Sequence, residues 1–345
     1  IFTWGKISNA VKLRQQVYDV RLLQLEDSID KAGIELYTRI AALHYLLEID
    51  RILSSQQEIA QRLVELAEKA LENGMMLETE ALSVRVQARQ LDVAKARTEQ
   101  QITIMLTEIG NITGQRDFEA SDLEFNEEAF GSLVSKLSSS DSDTILANAL
   151  SDSRTTFKLL SVLADIAVLA KDIAAASVNW KPDFAFVVNA DYSGSRLPLM
   201  ETDWYGKDDW NATLSIALKT TVFDGGKASR DVKRAESSVL EANIDIESAK
   251  LQVRSAVSRN LTDLSVALAG ISYQQALSLQ LDAQSRVDKS LLDTGYGSES
   301  DYLKGRLERN NCEIEILKAK TDLAAAVYTL LYLEGEIASA DADFT

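Results

Sequence analysis

VFDGGK, residues 222–227, joins two stretches of opposite character. Before it, DWNATLSIALKTT (209–221) alternates. Trp210, Ala212, Leu214, Ile216 and Leu218 fall on one side, and Asn211, Thr213, Ser215, Ala217 and Lys219 on the other. A period of two is the signature of a strand. After it, no proline occurs in the rest of the chain, and apolar residues recur at spacings of three and four, the helical period. Paired glycines at the junction allow the backbone angles and close approach that a sharp strand-to-helix corner needs. A partial echo, IFTWGK, occupies residues 1–6.

The echo belongs to a longer repeat. At an offset of 221 residues, Phe2 meets Phe223, Gly5 meets Gly226, Lys6 meets Lys227 and Val11 meets Val232. The same offset brings Gly74 to Gly295 and Gly114 to Gly335, with a short local gap where KARTE (95–99) matches KAKTD (318–322). Each copy reads as a long helix (7–72 and 228–293), a glycine turn (ENGMM, 72–76, and DTGYG, 293–297) and a returning helix (78–112 and 299–334). At ~1.5 Å per residue the long helices reach ~100 Å. Stripes such as Leu63, Leu66 and Leu71, flanked by charged residues and glutamines, predict helices packed side by side as in coiled coils.

The 345 residues carry 36 basic and 53 acidic side chains, a net charge of −17. Such a surface repels nucleic acid. One cysteine, Cys312, excludes a disulfide framework, and one histidine, His44, excludes a histidine-based metal site or triad. Cys312 is expected to act as a small buried hydrophobe and His44 as a packed or solvated side chain. No phosphate loop or nucleophile–base pair occurs, so no enzyme activity and no cofactor is expected. The most apolar run, 159–177, contains Asp165, Lys171 and Asp172, which excludes a transmembrane helix there.

A second alternating run, DFAFVVNADYS (183–193), sets Phe184, Phe186, Val188, Ala190 and Tyr192 against Ala185, Val187, Asn189, Asp191 and Ser193. Both runs have the length and alternation of membrane-barrel strands, and both also fit a soluble hairpin with one buried face. Trp180, Trp204, Tyr205 and Trp210 lie near the strand ends, where an aromatic girdle would sit, and 194–208 reads as an exposed loop. The long helices alone fit a coiled-coil rod. The combination weighs against both: a rod needs no central aromatic-edged hairpin, and a globular β domain needs no duplicated long hairpins.

The ordered set resembles the TolC family of outer-membrane efflux ducts. It consists of duplicated long hairpins, a strand pair starting near WKPDF (180–184), and DDWNATLSIALKTTVFDGGK (208–227) leading into a long helix. VFDGGK matches the family's corner closely and IFTWGK less well. The fold class so implied is mainly α with a β-barrel part: long helical hairpins forming an α-barrel, plus strands of a trimeric transmembrane β-barrel, with an internal two-fold repeat. The divisions are a first repeat (1–114), an equatorial segment (115–143), a helix (144–179), a barrel hairpin (180–222), a second repeat (223–335) and a tail (336–345). As the chain opens inside a motif, an upstream segment carrying a helix and the first strand hairpin is expected.

The resemblance implies a homotrimeric exit duct in the outer membrane of a Gram-negative bacterium, reaching into the periplasm. It would act as a passive conduit in tripartite efflux or type I secretion. Its partners would be a periplasmic adaptor (membrane fusion protein), an inner-membrane transporter and outer-membrane lipid. The alternative is a soluble coiled-coil structural or adaptor protein.

Adaptor docking is expected at the tip turns: Asn73, Gly74, Met75, Met76, Thr294, Gly295, Tyr296 and Gly297. A pore constriction is expected at Glu80, Asp301, Tyr302 and Lys304. Of these, Asp301 and its repeat mate Glu80 fit the family's acid six residues beyond the turn glycine. Gly297 and Leu292 stand where the family's gate has an arginine and a tyrosine, so that latch is not expected; Tyr296 or Tyr302 could replace it. The corners are Gly5 and Phe223, Asp224, Gly225 and Gly226. The lipid-facing set is Phe184, Phe186, Val188, Tyr192, Trp210, Leu214, Ile216 and Leu218.

Overall fold

The computed structural model describes residues 2–115, 118–178, 182–193, 200, 210–221 and 223–336. Trp180, Trp204, Tyr205, most of the 194–208 loop and residues 337–345 of the expected tail lie outside the described residues. The elements run α1 (Lys6–Glu72), α2 (Glu78–Thr113), a short 3-10 turn (Ala120–Asp122), α3 (Glu127–Ser139), α4 (Ser142–Ala149), α5 (Thr155–Val178), β1 (Asp183–Tyr192), β2 (Trp210–Lys219), α6 (Lys227–Asp293) and α7 (Glu299–Glu334). Helices α1 and α6 are both 67 residues long, and α2 and α7 both 36. Among the described residues no helix is long and apolar enough to cross a membrane.

One expectation needs correction. The stretch 144–178, read as a single helix, is two helices, α4 and α5, separated by Leu150–Arg154. LSDSR carries the break. The Ser151 hydroxyl accepts the Ser153 N–H, and such short polar side chains satisfy the backbone locally and compete with helix continuation.

The chain divides into two compact units, Ile1–Glu26 with Thr155–Lys250, and Asp27–Arg154 with Leu251–Thr345. The first holds the sheet, α5 and the opening turns of α1 and α6. Strands β1 and β2 pair antiparallel in ten-residue register, from Asp183 opposite Lys219 to Tyr192 opposite Trp210. On the other edge of β1, Phe2 and Phe184 exchange backbone hydrogen bonds of 2.7 and 2.9 Å.

The second unit is a layer of antiparallel helices whose neighbours are identified by their contacts. Helix α1 meets α2 through Gln57 Nε2 to Asp92 (2.9 Å) and Lys95 Nζ to Ser54 (2.6 Å). It meets α7 through Gln56 Nε2 to Asn311 (2.7 Å) and through Ile59 and Leu63 against Leu303. Helix α7 meets α6 where the Cys312 thiol donates to the Gln274 carbonyl (3.0 Å) and Arg309 pairs with Asp282 (2.5 Å). The lateral order is therefore α2–α1–α7–α6. Cys312 is buried as expected, and that burial pushes its thiol pKa up.

The core of this unit sits where the belt helices meet α7. Asn126 caps α3 by accepting the Glu128 and Ala129 amides, both at 3.1 Å. Phe130, Leu133 and Leu137, at helical spacing, then enter the same cluster as Ile145 and Ala149 of α4 and Tyr328, Leu330 and Leu331 of α7. Burying a ring such as Phe130 contributes about 2–3 kcal/mol. Belt packing on one side and α1 and α6 on the other explain why 323–331 is apolar nearly all round. His44 packs here too. Its ring lies 5.0 Å from Phe125 and 5.2 Å from Tyr45, with Nε2 3.7 Å from Glu127 Oε1.

Candidate functional site

The sheet register puts Phe184 opposite Leu218, Phe186 opposite Ile216, Val188 opposite Leu214 and Tyr192 opposite Trp210. Side chains alternate along a strand, so these eight share one face with Phe2. The other face carries Ala185, Val187, Asn189 and Asp191 opposite Ala217, Ser215, Thr213 and Asn211. The apolar face is bare: Val188 is 64%, Leu214 67% and Ile216 74% exposed. A two-stranded ribbon is marginal in water even when one face is covered. Here the apolar face stays exposed among the described residues, and an apolar patch of this kind marks an interaction surface.

Both corners are built on consecutive left-handed residues. Gly225 and Gly226 have φ of 64° and 79°, and Trp4 and Gly5 have φ of 56° and 87°. Asp224 caps α6 by accepting the Gly226 amide (2.9 Å) and the Ala228 amide (2.7 Å). Those amides, Ala228 first, hold its carboxyl below the ordinary aspartate range. Thr3 accepts the Ile7 amide in the equivalent way (3.2 Å). The first corner is also fastened to the start of β1. The Trp4 indole donates to the Pro182 carbonyl (3.0 Å), and Lys6 pairs with Asp183 (3.0 Å). Sequence reading missed both links, because partners 177 and 178 positions apart leave no local signal.

The tip turns share one hydrogen-bond pattern. Met75 N–H donates to Ala70 O (2.8 Å) and Gly74 N–H to Leu71 O (3.0 Å). Tyr296 N–H donates to Leu291 O (2.9 Å) and Gly295 N–H to Leu292 O (3.0 Å). With Gly74 and Gly295 left-handed, these are helix-ending Schellman turns. Asn73 and Thr294 both bond back into the preceding helix, and Met75 and Tyr296 stand out at 82% and 89% exposure. Met76 is half-buried. A Cβ on Gly297 would lie 2.7 Å from Leu292 N, so no side chain, arginine included, fits that position without a backbone shift.

The four constriction candidates separate. Glu80 accepts the Leu77 amide (3.3 Å), so its carboxylate ends the first turn of α2. Asp301 is exposed and 3.9 Å from Lys304. Tyr302 packs against the Ile59, Leu63 and Leu303 cluster. Nearby lies a contact absent from the sequence reading. Arg62 of α1 grips Glu299 of α7 with Nε to Oε1 at 2.8 Å and Nη2 to Oε2 at 3.2 Å, while Nη1 holds Glu65 (3.0 Å). The arginine hydrogen bonds lower the Glu299 pKa and raise that of Arg62. Among the described residues, no group of three or more His, Cys, Asp or Glu is placed to hold a metal.

Residues 154–336, just over half of the chain, match the profile of the family described as outer membrane efflux protein. The chain belongs to that family. No curated protein matches it. In fold, this efflux protein is similar to the Campylobacter jejuni CmeC outer membrane channel, at a TM-score of 0.73 and 13% identity over 97% of this chain and 69% of that one. It is likewise similar to the outer membrane protein VceC of Vibrio cholerae, at 0.68 and 17% over 96% and 76%. The open Neisseria gonorrhoeae MtrE outer membrane channel matches at 0.60 and 14% over 96% and 72%. By its family the chain is an outer membrane efflux protein, a conduit rather than an enzyme. The soluble coiled-coil alternative is not favoured.

Proposed function

We propose that this efflux protein is one protomer of a homotrimeric exit duct. In this duct β1 and β2 join strands of other copies in a closed outer-membrane barrel, and two duplicated helical hairpins form the periplasmic wall. The observation that carries the reading is the bare sheet: among the described residues the apolar face is uncovered and β2 is open along one edge. Lipid covers such a face. Closure with further strands pairs the open edge, because hydrocarbon supplies no hydrogen bonds to unpaired backbone groups. Phe184, Phe186, Val188, Tyr192, Trp210, Leu214, Ile216 and Leu218 then meet lipid, and Asn189, Asp191, Asn211 and Thr213 line water.

The divisions of the chain follow: repeats 1–114 and 223–335, belt 115–143, ascending helices within 144–179 and barrel hairpin 180–222. Equal helix lengths, matched tip turns and matched corners support the duplication. Asn73 to Met76 and Thr294 to Gly297 form the tip that meets the periplasmic adaptor, which links the duct to its inner-membrane transporter. Asp301, with Glu80 behind it, gives the entrance a negative potential that favours cations. Opening separates the helical hairpins at the tip, where the Arg62–Glu299 tie resists. Cargo passes without chemistry.

The test is conductance in planar bilayers with the purified, detergent-solubilised protein. The expected result is a cation-selective, mostly closed channel whose open time rises with Arg62→Ala. A protein that stays soluble without detergent and forms no channel would falsify the duct.

A further inference from the structure

Among the asparagines of the chain, Asn73 alone is followed by glycine. The pair closes the first tip turn. An asparagine side chain carries an electrophilic carbon, and the backbone nitrogen of the next residue can attack it. Attack is easiest where that next residue has no Cβ to crowd the ring being formed. Three features of the turn suit this chemistry. Asn73 and Gly74 are both exposed, so water reaches them. Nothing lies within 4 Å of the place a Cβ on Gly74 would occupy, so the ring has room. The pair stands just beyond Glu72, the last residue of α1, at a helix end that frays at low cost.

Two hydrogen bonds restrain the reacting groups in the closed turn. Asn73 Nδ2 donates to Lys69 O (2.8 Å), and the Gly74 amide donates to Leu71 O (3.0 Å). Both belong to one exposed turn, so a single local opening releases them together.

We propose that Asn73 is a site of spontaneous, backbone-mediated modification. The Gly74 amide gives its proton to hydroxide, and its nitrogen bonds to Cγ of Asn73. The Cγ–Nδ2 bond breaks, and ammonia leaves with a proton taken from water. Water then opens the cyclic imide at either carbonyl, leaving an aspartyl or an isoaspartyl residue. In sum, amide and water become carboxylic acid and ammonia, with no oxidant or reductant.

The second tip makes the same turn with Thr294 before Gly295, and a threonine hydroxyl offers no carbon to attack. The two tips therefore age differently. The new carboxylate falls at the C-terminal end of α1, where the helix dipole is negative and Glu72 already stands. The isoaspartyl form also adds a methylene to the main chain, which carries the Gly74 and Met75 amides away from Leu71 O and Ala70 O. The reaction requires neither a trimer nor an adaptor; only its effect on docking rests on the duct reading above.

The test is peptide mapping of the purified, detergent-solubilised full chain after incubation at neutral and mildly alkaline pH, with isoaspartate detected by enzymatic methylation. The unmodified peptide containing Asn73 is expected to be lost, faster at the higher pH, while those containing Asn111 and Asn148 persist. Asn73→Gln should abolish the product. Thr294→Asn should bring the second tip into the reaction, because the turn is the same. Hydrogen exchange over 70–76 should speed up in aged protein and not in aged Asn73→Gln.

If the Asn73 peptide persists in the folded chain while a synthetic peptide spanning 68–78 converts, the closed turn protects it and the proposal fails. Equal conversion at Asn111 and Asn148, or none at the second tip of Thr294→Asn, overturns it as well. A chain that converts at Asn73 but conducts no ions keeps this proposal and loses the duct.

Discussion

The two corners turn the chain in the same way with different chemistry. Both place two successive residues in the left-handed region, and both cap the helix that follows with a side-chain oxygen accepting an amide four residues on. The second uses Asp-Gly-Gly. The first uses Thr-Trp-Gly, so a tryptophan stands where its mate has glycine. A left-handed conformation costs a non-glycine residue roughly 1–2 kcal/mol. At Trp4 that cost is offset by the indole hydrogen bond to Pro182 and by edge-on packing against Phe2 at 5.0 Å. One corner relies on backbone freedom and a charged cap, the other on side-chain ties to β1.

The largest break in this comparison is expected from Gly226→Val. A β-branched residue at φ 79° should cost about 2 kcal/mol. Hydrogen exchange over 227–235 should speed up accordingly, with 6–14 unchanged. Next comes Asp224→Ala, which strips the cap from two amides and should speed exchange over 227–235 by less than Gly226→Val does. Thr3→Ala, losing one amide contact, should cost less in the same assay.

A smaller effect is the pH response. The Asp224 carboxyl titrates below its ordinary range, so its contribution is present above the unfolded aspartate value and is lost as pH falls through the depressed one. Exchange at the second corner should therefore rise in acid and the first should not follow; Asp224→Asn should flatten the response. Glu299 behaves with the same sign at the tip, so acid below the usual glutamate range should loosen α1 from α7 there. The smallest change is expected from Trp4→Gly. It relieves the backbone and removes the indole bond, two terms of about 1 kcal/mol that oppose each other. A loss well above that would show that the tie to β1 dominates the first corner.

The same contrast explains what the sequence made legible. Local signals were sufficient for the long helices, the glycine turns and the two strands, because hydrophobic period and glycine position are written in neighbouring residues. The VFDGGK corner was visible for the same reason. Links between distant residues were not. Arg62 to Glu299 spans 237 positions, and nothing near either residue announces the other. Tyr302 is a candidate replacement for the family's latch, and its packing against the Ile59, Leu63 and Leu303 cluster is another link that no neighbouring residue announces. The break at 150–154 was hidden because the flanking helices share one apolar composition and only the short polar stretch LSDSR divides them.

His44, the chain's single histidine, sits between the Tyr45 and Phe125 rings beside Glu127 at the start of α3. Its carbon-bound ring protons therefore form a solitary set of imidazole signals in the whole molecule, displaced by the ring currents of both neighbours. Whenever the belt helix lifts from α1, those currents change and the signals move. The protein thus carries a built-in spectroscopic reporter of belt seating, readable by proton–carbon correlation on histidine-labelled material without any added tag.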